Sequence, residues 1–261
     1  MRAACCEATV LRNEVIAPDI RLLTVVWPDR DHAPHAGQFF TLRAWGADEA
    51  PFLSRPISVH RWNPDSSTIE FLYQVVGEGT EKIAQLKMKD TFQLTGPMGN
   101  GFDVPDILSK YKKIAVVGGG IGTAPLLLLC KELCRAGVRP DLFVGFRDTT
   151  YGMDRFVPWC RDIYAATDSG KEGHHGLVTD LLDVSKYDIV LTCGPMVMMR
   201  GVAKLCAAAG VPCLASLEKK MACGLGACLG CTCHTKIGPV TVCKDGPVFR
   251  FDQLDELPNE Y

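Results

Sequence analysis

Four cysteines are spaced to do chemistry. The run Cys223-Gly-Leu-Gly-Ala-Cys228-Leu-Gly-Cys231 is followed at a distance by Cys243. A C-x4-C-x2-C run with a remote fourth cysteine is the plant-type spacing for a 2Fe-2S cluster held by four thiolates. Three thiolates from one tight loop wrap one side of such a cluster, and the fourth must arrive from elsewhere. Gly224, Gly226 and Gly230 permit the sharp turns that bring backbone N–H groups close to the inorganic sulfurs. Structural zinc is the competing reading, but zinc sites usually pair two C-x2–4-C knuckles. Here the second half supplies only Cys243. Cys233 stands one residue beyond Cys231 in a C-x-C spacing outside the pattern, and is read as a non-ligand. The total of 13 cysteines is odd in a chain of 261 residues, which does not suit a disulfide-stapled scaffold.

A second group could hold a nucleotide. Gly118-Gly-Gly-Ile-Gly122-Thr123-Ala-Pro125 follows an apolar run and opens a helical pattern. Glycines let a backbone approach phosphates closely, and a helix start favours their charge. Tight strand-to-helix turns also use glycine for purely structural reasons. The strict dinucleotide fingerprint is not met, because the third glycine falls at 122 rather than 123. Cys193-Gly194-Pro195 follows another apolar run. In an open α/β sheet, ligands bind beyond the carboxyl ends of strands, which would place this turn beside the first one. Arg55-Pro56-Ile57-Ser58 offers a guanidinium for a phosphate and a hydroxyl for a ring or ribose edge. It also reads as a surface arginine before a strand. Gly79-Thr80 opens a short helical pattern and could be an N-cap and nothing more.

The elements that must position these groups change in character along the chain. Gln38–Arg43, Pro56–His60, Thr68–Val76 and Thr91–Thr95 read as short strands between Gly, Pro, Asn and Asp punctuation. Their spacing predicts a small β-barrel or sandwich, with a short helix over Thr80–Leu86. From about Lys110 the pattern alternates. Lys113–Val117, Asp141–Gly145, Tyr187–Cys193 and Val211–Leu217 are strands, with helices over Ala124–Ala136 and Met196–Ala209 between them. Such alternation predicts a parallel sheet covered by helices. The tail from Glu218 is too short to carry an apolar core, and a metal centre would hold it. The expected organisation is an antiparallel barrel over 1–105, an α/β unit over 106–217 and a cluster-binding segment over 218–261.

Composition narrows the partners. Hydrophobic residues make up 47% and charged residues 22%, so a packed globular core is expected. The net charge of -2 carries no basic footprint for nucleic acid or an anionic membrane. The longest uncharged run, Ile114 to Cys130, is broken by four glycines and Pro125, which suits a strand, turn and helix rather than a membrane span. A soluble cytoplasmic location is expected, where thiols stay reduced.

Taken together, these motifs resemble the ferredoxin–NADP reductase superfamily, and more narrowly the electron-transfer subunits of class 1B dihydroorotate dehydrogenases. The resemblance covers essentially the whole chain, and its specific part is Glu218-Lys-Lys-Met-Ala-Cys223 through Cys231 with Val242-Cys243-Lys-Asp-Gly-Pro-Val-Phe249. It implies FAD bound at Arg55, Pro56, Ile57 and Ser58, at Leu72, Tyr73 and Gln74, and at Gly79 and Thr80. Gly-Pro-Met-Gly-Asn-Gly-Phe at 96–102 resembles the loop closing the flavin domain. The resemblance implies NAD(H) at Gly119, Gly120, Gly122, Thr123, Cys193, Gly194 and Pro195, with Cys193 positioning the nicotinamide–flavin contact rather than attacking. It implies a 2Fe-2S cluster on Cys223, Cys228, Cys231 and Cys243. The partner it implies is an FMN-containing catalytic subunit, usually two copies of each chain in a heterotetramer, exchanging dihydroorotate and orotate. A related reading keeps the cofactors and changes the partner, for example to a ferredoxin-linked transhydrogenase. For NAD against NADP, Arg147 could meet a 2′-phosphate and Asp168 an unphosphorylated ribose; the resemblance favours NAD.

Overall fold

A computed structural model describes residues 3–29 and 31–255. Its first half is a seven-stranded antiparallel sheet. The strands are β1 (Ala4–Ala17), β2 (Ile20–Val26), β3 (Phe39–Arg43), β4 (Arg55–Ser58), β5 (Arg61–Asn63), β6 (Thr68–Gln74) and β7 (Thr91–Met98), with helix α1 (Glu78–Ala84) before β7. The order is β4-β3-β7-β1-β2-β6-β5. β4 and β5 are separated by two residues, yet they pair with opposite ends of the sheet, β3 and β6. His60 N–H donates to the Glu70 carbonyl within that link. The chain from 55 to 63 therefore closes the sheet into the expected barrel.

The barrel interior is filled by aromatic side chains. Trp27 packs edge-on to Phe40 at 5.0 Å, and Phe40 to Phe71 at 5.8 Å. Phe40 is fully buried, so truncating it to alanine would cost roughly 3–5 kcal/mol. The long β1–β2 hairpin was not anticipated. β1 alternates inward Ala8 and Val10 with outward Glu7 in its first half, and a bulge between Val10 and Arg12 then turns Arg12 and Glu14 outward.

The second half begins with α2 (Val104–Lys110), capped by the Asp103 carboxylate accepting from Asp106 N–H at 3.0 Å. Then follow β8 (Ile114–Gly119), α3 (Leu126–Arg135), β9 (Asp141–Phe146), β10 (Ile163–Thr167), β11 (His174–His175), β12 (Ile189–Cys193), α4 (Met196–Ala209) and β13 (Cys213–Ser216). Their parallel order is β11-β10-β9-β8-β12-β13. All six residues of β8 and all five of β12 are buried, as expected for strands covered on both faces. No helix among the described residues is long and apolar enough to cross a membrane.

The tail adds a hairpin of β14 (Thr232–Thr235) and β15 (Gly238–Thr241), then β16 (Val248–Arg250). β16 pairs antiparallel with β13 and becomes the edge of the second sheet. The segment expected to stand on a metal centre alone is thus also stitched into the α/β sheet.

The two halves meet along α3. Lys131, almost fully buried, donates from Nζ to the Trp62 carbonyl at 2.7 Å. His60 is buried and sits 2.7 Å from the Ala124 carbonyl through Nδ1. Burial pushes its pKa down to about 3, so the neutral ring donates to that carbonyl. Glu132 accepts from Ala36 N–H at 3.2 Å, and Arg155 pairs with Glu70. One apolar core runs through both halves.

Candidate cluster site and nucleotide cleft

The four cysteines expected to hold the cluster lie on the turns before β14 and after β15. Gly224 at φ 69° and Gly226 at φ 78° take left-handed conformations, which glycine adopts without strain. These turns aim backbone N–H groups at sulfur. Leu225 and Cys228 N–H donate to Cys223 Sγ, each at 3.4 Å. Gly226 N–H reaches across to Cys243 Sγ at 3.1 Å, and Cys243 N–H donates to Cys231 Sγ at 3.4 Å.

The four thiols fall into two pairs. Cys223 and Cys228 are within hydrogen-bond reach of each other, and so are Cys231 and Cys243. Among the described residues, no three His, Cys, Asp or Glu side chains converge tightly enough for one ion. Two pairs match the two metal atoms of the cluster that the cysteine spacing predicts. Burial works to raise the Cys223 thiol, but the surrounding N–H groups and Cys228 outweigh it and hold it down at about 6. Burial, then the Cys231 contact, push Cys243 up to about 12, a balance that a bound cation reverses. Cys231 and Cys243 are buried, whereas Cys228 is exposed between Leu225 and Leu229, also exposed. Cys233 is buried in an apolar cluster with Leu217 and Val242 that also holds Cys231 and Cys243, and burial raises its pKa.

A cleft of about 750 Å³ separates the barrel from the carboxyl ends of the parallel strands. Gly119, Gly120 and Gly122 line it, with Gly194 and Pro195 opposite and Gln74 on the barrel side. The two turns touch. A Cβ on Gly122 would lie 2.4 Å from Gly194 Cα, and one on Gly119 would lie 2.9 Å from Pro195 Cδ. Parallel pairing of Cys193 with Gly118 sets this register. Arg147 and Asp168 line the far end.

Several of the expected residues support the site from behind. Thr123 is buried and donates to the Gly120 carbonyl at 2.8 Å. Cys193 is buried beneath the turn. Burial, and then the Glu218 carboxylate, push its thiol far above the ordinary range, so it stays protonated. Tyr73 points into the barrel core and reaches Asn13 Oδ1 at 3.2 Å, while Leu72 and Gln74 face the other way. Glu218, Tyr151 and Met198 also line the cleft and were not anticipated. Glu218 is two residues past β13, at a carboxyl end, so the topological rule could have found it.

On the barrel, Arg55, Pro56, Ile57 and Ser58 run half-buried along β4. The Arg55 side chain lies across Gly79, where a Cβ would meet its Nε at 2.4 Å. Its guanidinium donates to the Leu53 carbonyl at 2.8 Å and stands 5.8 Å from the Trp45 ring centre. Thr80 Oγ1 accepts from Val76 and Gly77 N–H and donates to the Gly77 carbonyl. Its hydroxyl thus holds the turn that Arg55 covers. β4 and β6 come into contact where the barrel closes, so the three expected flavin segments share one end of the barrel.

Residues 218–255 match a family model described as the iron-sulfur cluster binding domain of dihydroorotate dehydrogenase B. The chain is 47% identical over 218 residues to the dihydroorotate dehydrogenase B (NAD(+)) electron transfer subunit of Clostridium acetobutylicum, covering 84% of this chain and 85% of the relative. It is 38% identical over 254 residues to the subunit of that name from Caldanaerobacter subterraneus subsp. tengcongensis, covering 95% and 97%. Among solved structures it resembles one described for an NADH-dependent reduced ferredoxin-NADP oxidoreductase, with a TM-score of 0.80 and 25% identity over 95% of this chain and 89% of the other. A ferredoxin NADP+ reductase from Neisseria gonorrhoeae, with bound FAD and NADP, shares the fold at a TM-score of 0.63 and 17% identity, over 79% of this chain and 92% of that one.

Proposed function

We propose a mode of action from a plain premise: the chain belongs to the family of electron transfer subunits of dihydroorotate dehydrogenase B (NAD(+)). On this reading it passes electrons between NAD(H), FAD, a 2Fe-2S cluster and the FMN of a catalytic partner subunit, with dihydroorotate oxidised to orotate and NAD+ as acceptor. A cytoplasmic assembly of two copies of each chain is part of the proposal. The observation that carries it is the pair of thiol pairs, Cys223 with Cys228 and Cys231 with Cys243, laced by four backbone N–H groups. Flavin and cluster, when bound, supply the exchange between two-electron and one-electron chemistry that nicotinamide lacks.

The chain's own residues bind, orient and exclude. Arg55 is a fixed cation for a pyrophosphate, prepositioned across Gly79. Gly119, Gly120 and Gly122 offer backbone without side chains to a nucleotide in the cleft. Cys193, held neutral, shapes the floor beneath Gly194. Gly224 and Gly226 let N–H donors reach sulfur, which sets the electrostatics of the cluster seat.

The test is anaerobic. The chain is expressed with its FMN-containing partner, and visible absorbance is followed as NADH is added. Flavin and iron–sulfur bands that bleach together, and reoxidise when orotate is added, are the expected result. Bleaching that ignores orotate would transfer the relay to another oxidoreductase. A colourless protein containing zinc would overturn the cluster assignment.

A further inference from the structure

The loop at 96–102 is expected only to close the flavin domain. Its packing says more. Met98 ends β7 and is buried, and a Cβ on Gly224 would lie 2.6 Å from its Sδ. The same point on Gly224 is 3.7 Å from Thr41 Cγ2, and Thr41 pairs with Pro56 on the neighbouring strand β4. The turn that carries Cys223 is thus seated on Met98, one strand away from Arg55–Ser58.

The next residues grip the other half of the tail. A Cβ on Gly99 would lie 2.7 Å from the Gly246 carbonyl oxygen. Asn100 donates from Nδ2 to the Lys244 carbonyl at 3.0 Å and to the Asp245 carbonyl at 3.3 Å. Asn100 N–H donates to the Gly246 carbonyl, and Val248 N–H returns to the Asn100 carbonyl. Lys244–Gly246 directly follow Cys243. Three consecutive barrel residues therefore touch both turns that supply cysteines, one through a thioether and one through an amide.

We propose that Met98–Asn100 is a positioning socket for the metal-bearing tail: Met98 fixes the Cys223 turn and Asn100 fixes the Cys243 turn against the flavin end of the barrel. The inference rests on the iron–sulfur reading given above. It assigns to barrel residues a role in holding the cluster that the sequence motif of the tail does not contain.

The experiment compares the wild-type complex with Asn100→Ala, Met98→Ala and the volume-conserving Met98→Leu, each made with the partner subunit. Iron and sulfide per FAD, the electron paramagnetic resonance spectrum of the dithionite-reduced protein, and the separate flavin and cluster phases after mixing with NADH are recorded. Flavin reduction should stay within about twofold, since the cleft is untouched. Loss of two amide hydrogen bonds, or of the thioether seat, should slow the cluster phase about tenfold and shift the spectrum. Met98→Leu should restore most of both, because a swap of equal volume keeps the seat filled. Loss of iron with flavin reduction intact would equally place the socket under the tail. Alanine variants with full iron, a wild-type spectrum and a wild-type cluster phase would overturn the proposal. So would variants that lose flavin and iron together, since the loop would then serve the barrel alone. A wild-type complex without iron or sulfide would sink the iron–sulfur reading itself.

Discussion

Gly122 and Gly194 meet backbone to backbone, the first at the start of one α/β unit and the second at the start of another. Neither turn leaves room for a methyl group on the side facing the other. Gly122→Ala must push the turns apart, at a cost of roughly 1–3 kcal/mol for forced overpacking. The expected outcome is NADH affinity weakened about tenfold or more, with flavin content unchanged because the barrel is not involved. Titration of flavin bleaching against NADH checks it.

Cys228→Ser should remove the cluster and leave NADH able to reduce FAD. Cys228 is exposed, so the serine itself leaves the apolar packing of the tail undisturbed. Iron analysis together with stopped-flow absorbance at the flavin band measures both effects. A folded variant that no longer accepts electrons from NADH would place the cluster before the flavin and reverse the proposed order.

Arg55→Ala should weaken FAD retention by roughly ten- to a hundredfold, the worth of a charge-assisted contact to phosphate. The turn beneath it should persist, because Thr80 holds that turn through three hydrogen bonds of its own. Flavin content after gel filtration, with circular dichroism as the control for folding, reads the result. Unchanged flavin content would remove Arg55 from the site.

Glu132 links α3 to the barrel, with Ala36 N–H bonded to it, the His35 ring 3.9 Å away, and Lys131 and Arg135 nearby. Burial pushes its carboxyl up from 4.5 to about 7. The folded state therefore holds a proton that the unfolded chain releases, and stability from this group is full below about pH 4.5 and lost as pH rises through about 7. Glu132→Gln keeps an oxygen for Ala36 N–H and cannot ionise. The melting temperature of the variant should gain on the wild type across that window and run parallel to it above. A constant difference at every pH would mean that Glu132 does not titrate in the interface.

The parts legible in the sequence were those set by local geometry. The iron–sulfur segment follows from a cysteine spacing that a single loop imposes, and β8 and β12 follow from unbroken apolar runs. β1 was missed because Glu7, Arg12 and Glu14 interrupt its apolar residues and a bulge after Val10 breaks its alternation. α2 was missed although Asp103 and Pro105 mark a helix start. β16 could not be read, since three residues gain their identity only by pairing with β13. The grip of Asn100 on Lys244 and Asp245 spans more than a hundred residues of sequence and exists only in the folded chain. Arg55 was visible as a cation, but the neighbour it covers, Gly79, was not.

The run from Arg55 to Asn63 closes the barrel, carries the proposed flavin contacts at its start, and meets the other half near its end, His60 at Ala124 just before α3 and Trp62 at Lys131 within it. Occupancy and domain docking are therefore thermodynamically linked within one short peptide. A ligand gripping Arg55–Ser58 would stiffen the same short peptide whose Trp62 carbonyl accepts from the Lys131 ammonium and whose His60 ring donates to the Ala124 carbonyl. Stripping the flavin would accordingly do more than bleach the protein: amide protons of α3 would exchange faster, and the nucleotide half would serve as a remote gauge of whether the barrel is loaded.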